Sequence, residues 1–424
     1  MIVNNQGAKI VKISENDKEA YHESRSGRKA IGVFREFFPA EGFAKQIDTL
    51  HARVLVLEEQ ARHAMLVLEM TSIPPEEVEA MAAILREETA ALHTYVLATH
   101  TFSAPHFMPD HILKDEAERD KKRTLQTVVY AAVREAAREA AANLREATLK
   151  MGVADCPVGT ARDVLTPDGW WIGNNGDGEV DRRLTALQLT DGCGNPIAVL
   201  IHYAIQSSVL DGSRLRSGGK AVSGDLAGRM AEALEGEFKV PVLFLIGAAG
   251  DQAPRAKAKT DWFEKGIRTE TDLQDDAIAL LQEQAAEMAH AARAALEAAV
   301  PAGAGLQHRS CSVTLPGKVI NRNLRELHPT KEPPYVPEGT NEQIIELLQI
   351  GGVKLVGVKP ELNCVTAREI AGNDPMVRIV TLWNGGAKYL ADRESCRRIT
   401  YESQNSPFYP GAAEMLAEAA RGLL

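Results

Sequence analysis

Short apolar runs alternate with segments of helical period along most of this chain. "KAIGVFREFFP" (29–39), "HARVLVLEE" (51–59) and "RHAMLVLEM" (62–70) are rich in branched and aromatic residues and predict three short strands. "IPPEEVEAMAAILREETA" opens with prolines and acids, as a helix start does, and "LHTYVLATHT" predicts the strand after it. From Asp115 to Lys150, apolar residues at Leu125, Val128, Val129, Ala132, Ala136, Ala140 and Leu144 recur at steps of three and four, so one long amphipathic helix is expected. "PIAVLIHYAI", "GDLAGRMAEALEGEF" and "VPVLFLIGAAGD" then spell strand, helix, strand.

A second alanine-rich helix is expected from Asp272 to Ala299, with strand structure at "LQHRSCSVTLP". The proline-rich His328–Gly339 stretch predicts a loop, "NEQIIELLQI" a short helix, "MVRIVTLWNGG" a strand and "GAAEMLAEAARGLL" a terminal helix. The alternation predicts the α/β class, a mixed β-sheet core with flanking helices. No Gly/Ser-rich linker or internal repeat divides it, so one domain over residues 1–424 is expected.

Composition narrows the function classes. The chain has 45% hydrophobic and 25% charged residues, ordinary for a globular protein with a large core. Its formal net charge of -10 disfavours nucleic acid and anionic membranes as partners and leaves a small-molecule substrate. No apolar run reaches the roughly 18 residues of a membrane span, and no secretory signal is recognised. Cys156, Cys193, Cys311, Cys364 and Cys396 are dispersed with no C-x-x-C pair, which fits a reducing cytoplasm. Association into a homo-oligomer is left open.

Three strands end in polar or glycine-rich loops, "YVLATHTFSAPH", "AVLIHYAIQSS" and "FLIGAAGDQAPR", and such ends are where open α/β sheets gather ligands. His100 and His202 lie at or near two of them. A rigid strand end suits a neutral imidazole that ligates a metal; on position alone, a buried histidine bonded to backbone is the favoured reading of each.

The ordered set Thr99-His100-Thr101-Phe102-Ser103-Ala104-Pro105, a later strand histidine at His202, Ser223-Gly224-Asp225-Leu226-Ala227-Gly228 and Gly247-Ala248-Ala249-Gly250-Asp251-Gln252-Ala253-Pro254 resembles the neutral ceramidase family. "VKPEL", "LWNGGAKYLADRE" and "YESQNSPFYPGAAEMLAEAA" extend the likeness, so that it runs from about Ile31 to Leu424. Family members are zinc-dependent hydrolases of the N-acyl bond of ceramide. The resemblance implies a fold like the family's N-terminal domain, without its C-terminal immunoglobulin-like domain, and a Zn2+ held by His100, His202, Glu361 and Tyr389. It also implies that Tyr389 stabilises an oxyanion, and that a zinc-bound water, its pKa lowered to about 7, attacks the carbonyl.

The departures from the family are as informative. Phe102 stands where the family has a second histidine, which leaves His106 to supply proton transfer or to be a surface histidine. Ala253 replaces a serine once proposed as nucleophile, so serine catalysis there is excluded; Asp251 remains, either as an acid/base group or as a turn carboxylate. Asn174 matches the family's Asn-Arg segment but the arginine has no match, and Trp170 and Trp171 either line a substrate entrance or pack beneath a loop. The expectation is a cytoplasmic, metal-dependent hydrolase of an amide, ester or lactone bond in a small non-ceramide substrate. The alternative is a non-catalytic relative that binds small molecules or acts as a scaffold.

Overall fold

A computed structural model describes residues 2–4, 42–113, 115–264, 267–320 and 327–424. The first of the three expected opening strands, 29–39, lies outside them. The other two form the antiparallel pair Ala52–Glu58 and Arg62–Leu68, and His93–Ala98 joins the second in parallel, within a five-stranded sheet. A second five-stranded sheet holds Thr148–Asp155, Arg183–Thr190, Pro196–Tyr203 and Val242–Ile246, the last two parallel.

Alternate side chains of these strands go to different cores. Val54, Val56, Leu66, Val199 and Ile201 pack against the helices Pro75–Thr89, Glu116–Ala142, Asp225–Phe238 and Ala277–Glu297. Leu55, Leu57, Met65, Leu200 and Leu243 face the other way, toward Leu348, Ile350, Leu355 and Trp383. Burial on both faces is why these strands read as unbroken apolar runs rather than alternating ones. The opposing layer is a four-stranded sheet built on a long hairpin, Leu306–Ile320 with Tyr335–Ile350, extended by Val353–Gly357 and Val377–Val380. Its outer face carries the helices Cys364–Ala371 and Ala412–Leu423, whose Ile370, Leu416 and Ala420 meet Ile345, Leu347 and Ile379. The result is helices, sheets, sheet, helices: a mixed α/β architecture, as expected.

Three expected elements are different. The loop expected over His328–Gly339 gives way at Tyr335 to the strand Tyr335–Ile350, because Tyr335, Val336 and Pro337 pair with Ile320, Val319 and Lys318 of the other hairpin arm. The long helix ends at Ala142, and Leu144–Glu146 and Thr148–Asp155 are strands. Leu149 and Met151 continue a helical spacing, but pairing of Thr148–Asp155 along Arg183–Thr190 captures them in a core between sheets. "NEQIIELLQI" is strand, not helix: Gln343, Ile345 and Leu347 are buried while Glu342 and Ile344 are exposed, a period of two that the hairpin register enforces. Among the described residues no helix is long and apolar enough to cross a membrane.

Candidate active site

Two loops and one short strand pair converge beyond the strand ends. His100 follows the His93–Ala98 strand by two residues and sits in the left-handed region at φ 62°. Its imidazole Nδ1–H donates to the Thr71 carbonyl at 2.6 Å, which turns Nε2 toward Glu361, 3.2 Å from Oε2. Glu361 pairs in parallel register with Tyr389, so carboxylate and phenol come from neighbouring positions of one two-stranded ribbon. All three side chains are buried.

The Ser223-Gly224-Asp225 motif clamps the loops together. Ser223 N–H donates to the Ser103 carbonyl at 2.8 Å and Thr101 Oγ1 donates to the Ser223 carbonyl at 3.1 Å, which ties down the His100 loop. Asp225, itself at φ 54°, accepts from the backbone amides of Val209, Leu210 and Leu226 at 2.9, 2.9 and 2.8 Å, which ties down the loop after Tyr203. Gly224 is required by close approach, because a Cβ there would lie 2.9 Å from Glu69 Oε2.

That second loop delivers Gln206, whose Nε2 donates to Glu361 Oε2 at 3.1 Å. Its Oε1 accepts from Arg162 Nη1 at 3.1 Å. Arg162 is buried, donates through Nε to Glu402 Oε1 at 2.7 Å, and lies 5.4 and 5.6 Å from the ring centres of Tyr389 and Tyr401. The cluster is therefore His100, Gln206, Glu361, Tyr389, Arg162, Tyr401 and Glu402. Burial opposes charge on both members of the His100–Glu361 pair, but their mutual attraction wins: the imidazole pKa is held above its ordinary value and the carboxyl below. Burial, and next the Glu361 carboxylate, push the Tyr389 phenol well up, so it is a neutral donor.

His202 does not join the cluster. It lies within the Pro196–Tyr203 strand, not past its end, and its Nε2–H donates to the Ile379 carbonyl at 2.7 Å in a separate pocket. The expectation of His202 as a fourth ligand is thereby corrected; the residue that reaches the cluster from this strand is Gln206. His106 is tied through Nε2 to the hydroxyl of Thr71, the residue whose carbonyl orients His100, so it braces the site. Phe102 packs edge-on to His100 at 4.8 Å.

Asp251 also braces. Its Oδ1 accepts from the Cys364 amide at 2.9 Å and from Gln252 Nε2 at 3.0 Å, while a Cβ on Gly250 would lie 2.9 Å from the Leu362 carbonyl. The Gly-Asp pair thus grips the segment that carries Glu361. Burial pushes the Asp251 carboxyl up to about 7. Asn174 bonds Thr160 and the Arg255 carbonyl and stays outside the cluster. Trp171 meets Tyr401 edge-on at 5.5 Å, and the Arg398 guanidinium lies over Trp170, 4.5 Å from the ring centre.

Compared with solved structures, the chain superposes on neutral ceramidase from Pseudomonas aeruginosa with a TM-score of 0.70 at 14% identity, over 100% of this chain and 73% of that one. It has the fold of neutral ceramidase. A ceramidase complexed with C2 gives a TM-score of 0.68 at 14% identity with the same coverage. No protein-family model and no curated protein sequence matches the chain.

The residues present do not fit the zinc that a ceramidase resemblance implies. Among the described residues, three of the four implied ligands, His100, Glu361 and Tyr389, meet in the cluster and only the first two are ordinary zinc donors; beside them Gln206 presents a carboxamide, bonded to Glu361 on one side and Arg162 on the other. A buried guanidinium, a permanent cation, is already part of the same cluster. Among the described residues no group of three His, Cys, Asp or Glu side chains is arranged to hold a metal.

Sequence reasoning missed Gln206, Arg162, Tyr401 and Glu402. A signal existed for Gln206: His100 lies past its strand end, and Gln206 does too, whereas His202 does not. Arg162 lies inside a strand, Gly159–Thr166, and nothing in its local pattern marks it.

Proposed function

We propose that this chain hydrolyses an amide bond, or the related ester or lactone, in a small substrate other than ceramide, without a metal. The observation that carries the reading is the meeting of the buried His100–Glu361 pair with the Arg162 guanidinium and the Tyr389 phenol. A substrate carbonyl oxygen placed against Tyr389 Oη and Arg162 would have its developing negative charge met by preorganised donors in a dry setting. Water attacks the carbonyl carbon, its proton passing to Glu361, and a C–O bond forms. The C–N bond then breaks as the His100 imidazolium gives its Nε2 proton to the leaving nitrogen. Glu361 returns the proton to His100 across their 3.2 Å contact, which restores the pair. We place the reaction in the cytoplasm, where the five free cysteines stay reduced.

One observation favours the alternative of a non-catalytic binding protein: Gln206, Glu361 and Arg162 already satisfy one another. A panel of N-acyl amino acids, small amides and lactones separates the readings, assayed with wild type, Glu361→Gln and His100→Ala after dialysis against EDTA. The hydrolase reading expects wild-type turnover that survives EDTA and falls by roughly 10²–10⁴ in Glu361→Gln. Binding of panel members without turnover supports the alternative, and turnover lost in EDTA and restored by zinc overturns the metal-free mechanism.

A further inference from the structure

A second pocket, which none of the seven cluster residues lines, is walled by Asp181, Arg183, His202, Cys364, Arg378 and Ile379, among others. Its charges do not balance. Arg183 is neutralised by Asp181 through Nε–Oδ1 and Nη2–Oδ2 bonds of 2.9 and 2.7 Å. Arg378, buried to 5% exposure, donates to the Thr185 hydroxyl at 2.6 Å through Nε and to the Pro375 and Val377 carbonyls at 2.8 and 2.7 Å through Nη1. These are neutral acceptors, and the two carboxylates that act on Arg378 from nearby, Asp181 and Asp374, are engaged by Arg183 and Lys354. A buried guanidinium without a carboxylate in contact is costly, and burial, with Arg183 second, accordingly pulls its pKa down to about 10.

The same pocket holds an unmet acceptor. Because His202 Nε2–H donates to Ile379, Nδ1 carries the lone pair, and this atom is buried with no hydrogen-bond partner. Surplus positive charge and a lone acceptor select between small ligands. Water satisfies Nδ1 but not the charge, and chloride satisfies the charge but presents no hydrogen to Nδ1. An oxyanion that carries its own hydroxyl satisfies both.

We propose that this pocket binds a small hydroxyl-bearing oxyanion, of the hydrogen phosphate or bicarbonate type, with its oxygens held by Arg378 and its O–H donated to His202 Nδ1. The site is separate from the hydrolytic cluster, so its fate does not depend on that reading. The test is calorimetry and thermal unfolding of wild type, Arg378→Met and His202→Leu with inorganic phosphate, bicarbonate or chloride at matched ionic strength. Phosphate or bicarbonate should bind wild type and raise its Tm where chloride does not. Arg378→Met should weaken binding at least tenfold, and His202→Leu should erase the preference over chloride. Binding by one oxyanion alone identifies the ligand and supports the site. Indifference of wild type to both oxyanions, or equal binding of chloride, overturns it. If Arg378→Met does not fold, the chloride comparison on wild type and His202→Leu decides.

Discussion

Asp225→Ala is the perturbation that tests how the loops of the cluster are held. The carboxylate is fully buried and accepts three backbone amides, from Val209, Leu210 and Leu226. Each orphaned buried amide costs about 1–3 kcal/mol, and alanine tolerates the left-handed φ of 54° less well than aspartate by about 1 kcal/mol. Against this, removing a carboxylate whose pKa burial raises recovers part of its desolvation cost. The net expectation is a loss of about 3–5 kcal/mol. Asp225→Asn keeps one oxygen for Val209 and Leu226 but turns an NH2 toward Leu210 N–H, so about half the loss is expected. Urea unfolding followed by circular dichroism measures both. Because Val209 and Leu210 anchor the loop bearing Gln206, any turnover should fall further than the unfolded fraction explains. An Asp225→Ala protein within about 1 kcal/mol of wild type would refute the clamp.

Two further outcomes follow from buried charge. Arg53 donates to Glu69 at 2.5 Å and to Glu235 at 2.7 Å, so Arg53→Met strands two buried carboxylates and should cost about 3–5 kcal/mol in denaturant unfolding, whereas an uncharged triad, Arg53→Met with Glu69→Gln and Glu235→Gln, should recover much of it. Asp251, pushed up to about 7 by burial, binds its proton more tightly in the fold than when unfolded; its contribution is therefore present at low pH and is lost as pH rises from about 4 to 7. Unfolding midpoints at pH 5 and 7 should fall less in Asp251→Asn than in wild type, and identical slopes would place the titration elsewhere.

The elements that were legible in the sequence are those whose own periodicity matches their burial. The apolar runs at 52–58, 62–68 and 196–203 are strands because both their faces are covered, and the alanine-rich helix at 277–297 shows its buried stripe plainly. Where a partner decides the conformation, reading failed: Thr148–Asp155 and Asn341–Ile350 carry ambiguous spacing that cross-strand pairing resolves.

The sequence by itself determined the α/β class and the polar strand ends. His100 stood out at a polar strand end, which is a local signal, whereas Glu361 and Tyr389 came into view only through the resemblance of the ordered motifs to the neutral ceramidases. Only the tertiary structure decided which side chains meet there. It put Gln206 rather than His202 beside Glu361, since the chain leaves the strand at Tyr203 and only residues beyond that point can turn into the cluster. It also brought in Arg162 and Glu402, 240 residues apart in sequence, because contacts between distant segments are set by packing and leave no spacing to read.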